Sequence, residues 1–148
     1  MSDLVTLRAS VGDDDQIVKI WREASRIAHP FLTEDDLAAQ ERLTRREHLP
    51  RAHVVVAERK GIIVGVIATL GNYIGALFVD PQAQGCGIGR RLIEHAQTHR
   101  DALELSVYEA NHSARGFYER LGFAEAGRSD HDAEGRPLPV LRFVWVRP

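Results

Sequence analysis

The chain has 148 residues, 44% of them apolar and 27% charged, a composition that fits one folded domain with one core and excludes a disordered chain. Its net charge of -2 gives no basic signal for nucleic acid or an anionic membrane, and no apolar run approaches the roughly 18 residues of a membrane span. The single cysteine, Cys86, excludes an intramolecular disulfide, and residues 1–10 hold no apolar signal-peptide core, so a cytoplasmic chain with no membrane or nucleic-acid partner is expected.

Residues 4–8 alternate apolar and polar and predict a strand. Asp13 and Asp14 offer a helix N-cap, and Ile17, Ile20, Trp21, Ala24 and Ala28 follow as one apolar stripe. His29-Pro30 ends that helix, because proline disfavours helical geometry in the residue before it. Thr33 opens a second, weakly amphipathic helix with an acidic first turn, running to about Glu47. Residues 54–58 and 62–70 read as two strands joined at Lys60-Gly61 into a hairpin. A third strand, 73–79, follows the turn at Gly71-Asn72 and stops at Asp80-Pro81. After a glycine-rich loop, Ile88, Leu92, Ile93 and Ala96 mark the inner face of a helix to about Arg100. A strand at 103–107 leads to a helix at 113–121, with Ala114, Phe117 and Leu121 on one face and Gly122 as its terminator. Strands at 124–129 and 140–146 flank a polar loop, 130–139. This order lacks the regular alternation of a doubly wound sheet and points to a mixed sheet with helices on its faces.

The loop Gln84-Gly85-Cys86-Gly87-Ile88-Gly89 lies between a strand and a helix start, where unpaired amides and the helix dipole attract anions. Its glycines let the backbone approach an oxyanion, Ile88 can turn into the core, and Arg90 and Arg91 add positive charge. The dinucleotide fingerprint fails, since it would need glycine at Arg90 or Leu92, and the Gly-Lys-Ser/Thr of a triphosphate loop is absent.

The segment from Val79 to Gly89 resembles motif A of the GCN5-related N-acetyltransferases, Arg/Gln-x-x-Gly-x-Gly/Ala, with Gln84, Gly87 and Gly89 in its fixed places. The segment Asn111-His112-Ser113-Ala114-Arg115-Gly116-Phe117-Tyr118-Glu119-Arg120-Leu121-Gly122-Phe123 resembles the family's motif B at every fixed position. Ala28-His29-Pro30-Phe31-Leu32 and the stretch from Gly127 to Leu141 are similar to a small bacterial branch of single-domain members. The resemblance implies a mixed α/β fold over residues 1–148, a mostly antiparallel sheet of six to seven strands flanked by about four helices. It implies acetyl-CoA as donor, with the pyrophosphate on Gln84, Gly85, Cys86, Gly87, Ile88, Gly89 and Arg90. Pantetheine would lie where the third strand parts from the next, against Phe78, Val79, Asn111, Ala114 and Phe117.

The resemblance further implies direct transfer to an amine in a ternary complex, with amides near Leu77 at the oxyanion and Tyr118 as general acid. Protein lysine, peptide N-terminus and small amine stay open as acceptors, and a homodimer through the late strands is allowed. His29, Phe31, Leu32 and Asp132 are candidate acceptor-side residues, Phe31 and Leu32 equally core plugs. The glutamate that many relatives carry on the strand before motif A is missing, which leaves His29, Glu109 and Asp132 as candidate bases and an acyl-CoA sensor without turnover as the alternative function. Cys86 needs only its backbone in the motif, and His95 with His99 reads as a solvated face, so no metal is expected.

Overall fold

A computed structural model of the protein describes residues 4–148; the first three residues of the segment read for a signal core lie outside it. Strand β1 (Val5–Ala9) carries Arg8, whose guanidinium reaches Asp13 at 3.0 Å and Glu58 at 3.0 Å. Asp13 stands at the N-cap position of α1 (Asp14–Ala28), but its carboxylate does not cap the helix. It accepts instead from Arg8, the Val11 amide and the Ser10 hydroxyl, which together hold its pKa down to about 2. The expected side-chain cap is therefore corrected: a buried carboxylate beside a guanidinium takes the stronger, charge-assisted partner. Ile17, Val18, Ile20, Trp21, Ala24 and Ser25 are buried as the stripe requires, whereas Ala28 in the last turn is exposed.

Helix α2 (Glu34–Leu43) opens with a capping box in which Thr33 and Asp36 exchange bonds of 3.0 Å each way. It runs past the expected end near Glu47, through a π-helical turn (Thr44–His48) into a last turn (Leu49–Arg51). A π turn widens the helix locally, a feature that sequence periodicity does not register.

The remaining strands are β2 (His53–Arg59), β3 (Ile62–Leu70), β4 (Tyr73–Val79), β5 (Ala102–Tyr108), β6 (Ala124–Ser129) and β7 (Val140–Val146). They form a seven-stranded sheet in the order β1-β2-β3-β4-β5-β7-β6, antiparallel everywhere except between β4 and β5. Helices α3 (Ile88–Thr98) and α4 (His112–Arg120) complete the set of four. Side-chain alternation along β2 assigns the faces: Val55 and Ala57 pack in the core of α3, and Val56 packs with Ile17 and Ile20 of α1. Covered on both faces, β3 is buried continuously over residues 63–69.

The close approach of α3 to β3 depends on Gly65, where an added Cβ would meet Ile88 Cγ2 at 2.9 Å and Leu92 Cδ1 at 3.2 Å. Gly65→Ala should therefore lower stability by about 1–3 kcal/mol, read as a reduced denaturant midpoint at unchanged slope. An unaltered midpoint would show that α3 can shift outward without loss.

Candidate active site

Strands β4 and β5 pair only through Tyr73↔Glu104 and Ile74↔Leu105, and then part. The cause is local. On its other side β4 pairs Ile74 with Thr69 and Ala76 with Ala68, which leaves Gly75 as an extra, bulged residue. A bulge bends its strand and ends regular pairing. Beyond it, Gly75–Val79 and Ser106–Tyr108 face each other without a ladder.

On one side of this gap lies the glycine loop. Gln84, Gly85, Cys86 and Gly87 are exposed, while Ile88 turns into the core at 2% exposure. Gly87 is the N-cap of α3 at φ +77°, a left-handed conformation that a side chain would strain, and no side chain caps the helix amides. Gly89 lets α3 approach α4, since a Cβ there would lie 3.3 Å from Phe117 Cζ. The cations do not both serve the loop. Arg91 donates to the Val5 carbonyl at 2.7 Å, and Arg90 pairs with Glu94 at 3.2 Å. Gln84 Nε2 donates to the Val79 carbonyl at 3.3 Å, folding the loop back onto the end of β4.

Asn111 is the N-cap of α4, its Oδ1 accepting from the Ala114 amide at 3.1 Å. That bond leaves Nδ2 facing His29 Nε2 at 3.3 Å. An amide nitrogen only donates, so Nε2 accepts and the ring proton sits on Nδ1. His29 also meets the rings of Phe31 and Tyr108, with centroids 5.6 and 5.1 Å away. Burial holds its pKa below the ordinary value of 6.5. Two predicted residues from distant segments, 29 and 111, thus meet directly. Further along α4, Ala114 and Phe117 pack partly buried against the main core. Tyr118 is ringed by Phe117, Phe123 and Phe143, and desolvation pushes its pKa up. Its hydroxyl has no hydrogen-bond partner among the described residues.

On the other side of the gap is a cavity of about 460 Å3, mostly apolar, walled by Trp21, Leu49, Phe78, Val107 and Tyr108. Phe78 leans on Trp21 edge-on at 6.5 Å, so it faces this cavity, whereas Val79 packs in the core of α3. His29 and Asp132 reach the cavity wall. Leu32 is a core residue beside Val18, Trp21 and Leu37, and Phe31 packs at that cluster's margin against Tyr108.

The two carboxylates considered as bases are already engaged. Glu109 is paired with Arg128 at 2.8 Å, which lowers its pKa. Asp132 accepts from Tyr108 at 3.0 Å, from Arg136 Nη1 at 2.9 Å and from the amides of Glu134 and Arg136. Burial alone would raise the Asp132 pKa; these bonds, led by Arg136, bring it below the ordinary carboxylate value. The cavity is also lined by Tyr108, by the π-turn residues Thr44 and His48, and by Trp21, which the sequence marks only as part of the apolar stripe of α1. Of these, Tyr108 was the findable one, as the last residue of the strand that parts from β4.

The sheet is opened at its centre, with an uncapped helix start on one side and a mostly apolar, partly open cavity on the other. The family model described as an acetyltransferase (GNAT) domain matches residues 23–137. Peptidyl-lysine N-acetyltransferase YjaB of Escherichia coli (strain K12) is 36% identical over 145 residues, spanning 97% of this chain and 98% of that one. The solution structure of apo-form YjaB from Escherichia coli is similar at a TM-score of 0.87 and 35% identity, covering 98% and 99% of the two chains. The PaiA N-acetyltransferase of Thermoplasma acidophilum, solved in complex with coenzyme A, shares the fold at a TM-score of 0.75 and 17% identity, over 94% and 98% of the chains. The chain belongs to the GNAT family and is an N-acetyltransferase. No helix among the described residues is long and apolar enough to cross a membrane.

The half-buried His29 ring has a pH signature. Its folded pKa lies below its unfolded one, so below about pH 6.5 the unfolded chain binds more protons. The stability this neutral ring contributes is complete above that pH and declines as the pH falls through the folded pKa. The stability difference between wild type and His29→Gln should therefore shrink between pH 7 and pH 5 in thermal melts. A difference independent of pH would mean that the ring is not held neutral by burial.

Proposed function

We propose that this chain moves an acetyl group from acetyl-CoA directly to the side-chain amine of a peptidyl lysine, within a ternary complex. The observation that carries the reading is the parting of β4 from β5 between the exposed glycine loop and the apolar cavity. The loop amides from Gln84 to Gly89 hold the donor's pyrophosphate, and the unladdered edge at Phe78 and Val79 receives the pantetheine arm as an extra strand would. Asn111 has a second amide proton for the same arm besides the one it gives to His29 in the free protein. Amides near Leu77 stabilise the oxygen that gains charge as the amine attacks the thioester carbonyl.

Tyr118 gives its proton to the departing thiolate. The raised pKa keeps the phenol protonated at neutral pH, and no internal hydrogen bond has to be broken first. His29 takes the proton that the lysine ammonium must lose. The ring is neutral, it lines the acceptor cavity, and its 3.3 Å contact with Asn111 is long enough to exchange for a substrate. The lysine acceptor follows from the likeness to YjaB, whose name states that acceptor.

Release of free thiol from acetyl-CoA with a lysine peptide tests the reading. Donor binding without acetylation of any peptide would leave a binding module in its place. Tyr118→Phe should reduce kcat on the order of 100-fold with donor affinity nearly intact. Unchanged kcat would remove the phenol from the mechanism. Gly87→Glu places a strained, negatively charged side chain at the pyrophosphate and should abolish donor binding in calorimetry; retained affinity would disprove the loop assignment.

A further inference from the structure

Beside the acceptor cavity lies a second hollow of about 250 Å3, and Arg42 and Arg46 line it. The two hollows share Gln40, Leu43 and Glu134 as walls, so the pair stands next to the cavity. Both guanidiniums are exposed, and among the described residues neither has a hydrogen bond or ion pair. Their neighbours are otherwise. Arg45, between them, is bonded to Asp15 at 2.8 Å and Glu41 at 3.2 Å. Arg22 is paired with Glu41, Arg51 with Glu47, and Arg136 across the hollow with Asp36, Asp132 and Glu134. Positive charge is therefore neutralised around the hollow except at these two positions. They stand four residues apart on one helix, a spacing at which like charges repel. The arrangement is one that an arriving anion would relieve.

The cavity wall carries Asp132 and Glu134, which together with Asp36 set three carboxylates against the one Arg136 guanidinium and leave this wall net acidic. An amine drawn toward that wall and an anion drawn to Arg42 and Arg46 would be two parts of one molecule. We propose that Arg42 and Arg46 read acidic side chains within a few residues of the target lysine, making this chain selective for lysines in acidic peptide segments. The inference rests on the lysine-acetyltransferase reading above.

Three peptides that differ only in the residues flanking one lysine, as Glu, Gln or Arg, test it. Wild type should favour the Glu peptide over the Gln peptide by about fivefold in kcat/KM, with the Arg peptide poorest and the preference fading as salt is added. In Arg42→Gln/Arg46→Gln the Glu-over-Gln ratio should fall to about one. Lys19→Gln/Arg59→Gln removes equal charge from α1 and the end of β2, and should keep the ratio. Equal kcat/KM of wild type for the Glu and Gln peptides would overturn the proposal, as would a ratio that survives in the arginine double variant. Should no peptide be acetylated, the function reading fails instead. Calorimetric binding of the same peptides then decides separately for the hollow: tighter binding of the Glu peptide, lost in the arginine double variant, supports it, and equal affinities overturn it.

Discussion

The organisation of this molecule depends on one extra residue in one strand. Gly75 has no partner in β3, so β4 bends there, and its parallel pairing with β5 stops after Ile74 and Leu105. A continuous ladder would have sealed the sheet. The interruption leaves two backbone edges with unspent hydrogen-bonding groups, and such groups inside a fold need a partner. An extended amide-bearing arm, such as the pantetheine of the proposed donor, supplies one. The opening lies between the two clusters of buried Val, Ile and Leu that cover the faces of the central strands.

The two faces are built for different tasks. The α3 side is tightly packed, with Gly65 and Gly89 admitting close contacts that hold the loop's helix start in place. The α1 and α2 side holds the cavity, which the π turn at residues 44–48 and the loop 130–139 help to wall. In the proposed reaction, rigidity falls where backbone amides would hold the donor's pyrophosphate, and room falls where the acceptor side chain would enter.

Polar ties fix the walls of the hollow side. Asp132 gathers Tyr108, Arg136 and two amides, and Arg136 continues to Asp36 in the capping box of α2. One buried carboxylate thereby links β5, the β6–β7 loop and the second helix around the cavity. Tyr108 carries the linkage inward to His29 by ring contact, and His29 carries it to Asn111 at the start of α4. The start of α4 and the loop that follows α1 are in this way parts of one hydrogen-bonded and stacked unit.

Much of this was legible in the amino-acid sequence. The bounds of β3, β4, β6 and β7 follow from local patterning and turn chemistry, and both motifs lie where contiguous residues act together, on a loop or along one helix face. The glycine loop is a local object, so its sequence alone identified it. What tertiary structure decided concerns pairs far apart in the chain. Arg8 reaches Glu58, 50 positions away, and Arg91 was free for the loop until β1, 86 positions away, offered the Val5 carbonyl. His29 and Asn111 are separated by 82 positions, and Arg136 and Asp36 by 100. Periodicity and propensity act over a turn or a strand, whereas a side chain chooses among all partners that folding brings within about 3 Å. For that reason the glycine loop and the two motif segments were legible in the sequence, whereas the contact of His29 with Asn111 and the network of Asp132, Arg136 and Asp36 belong to the folded chain alone.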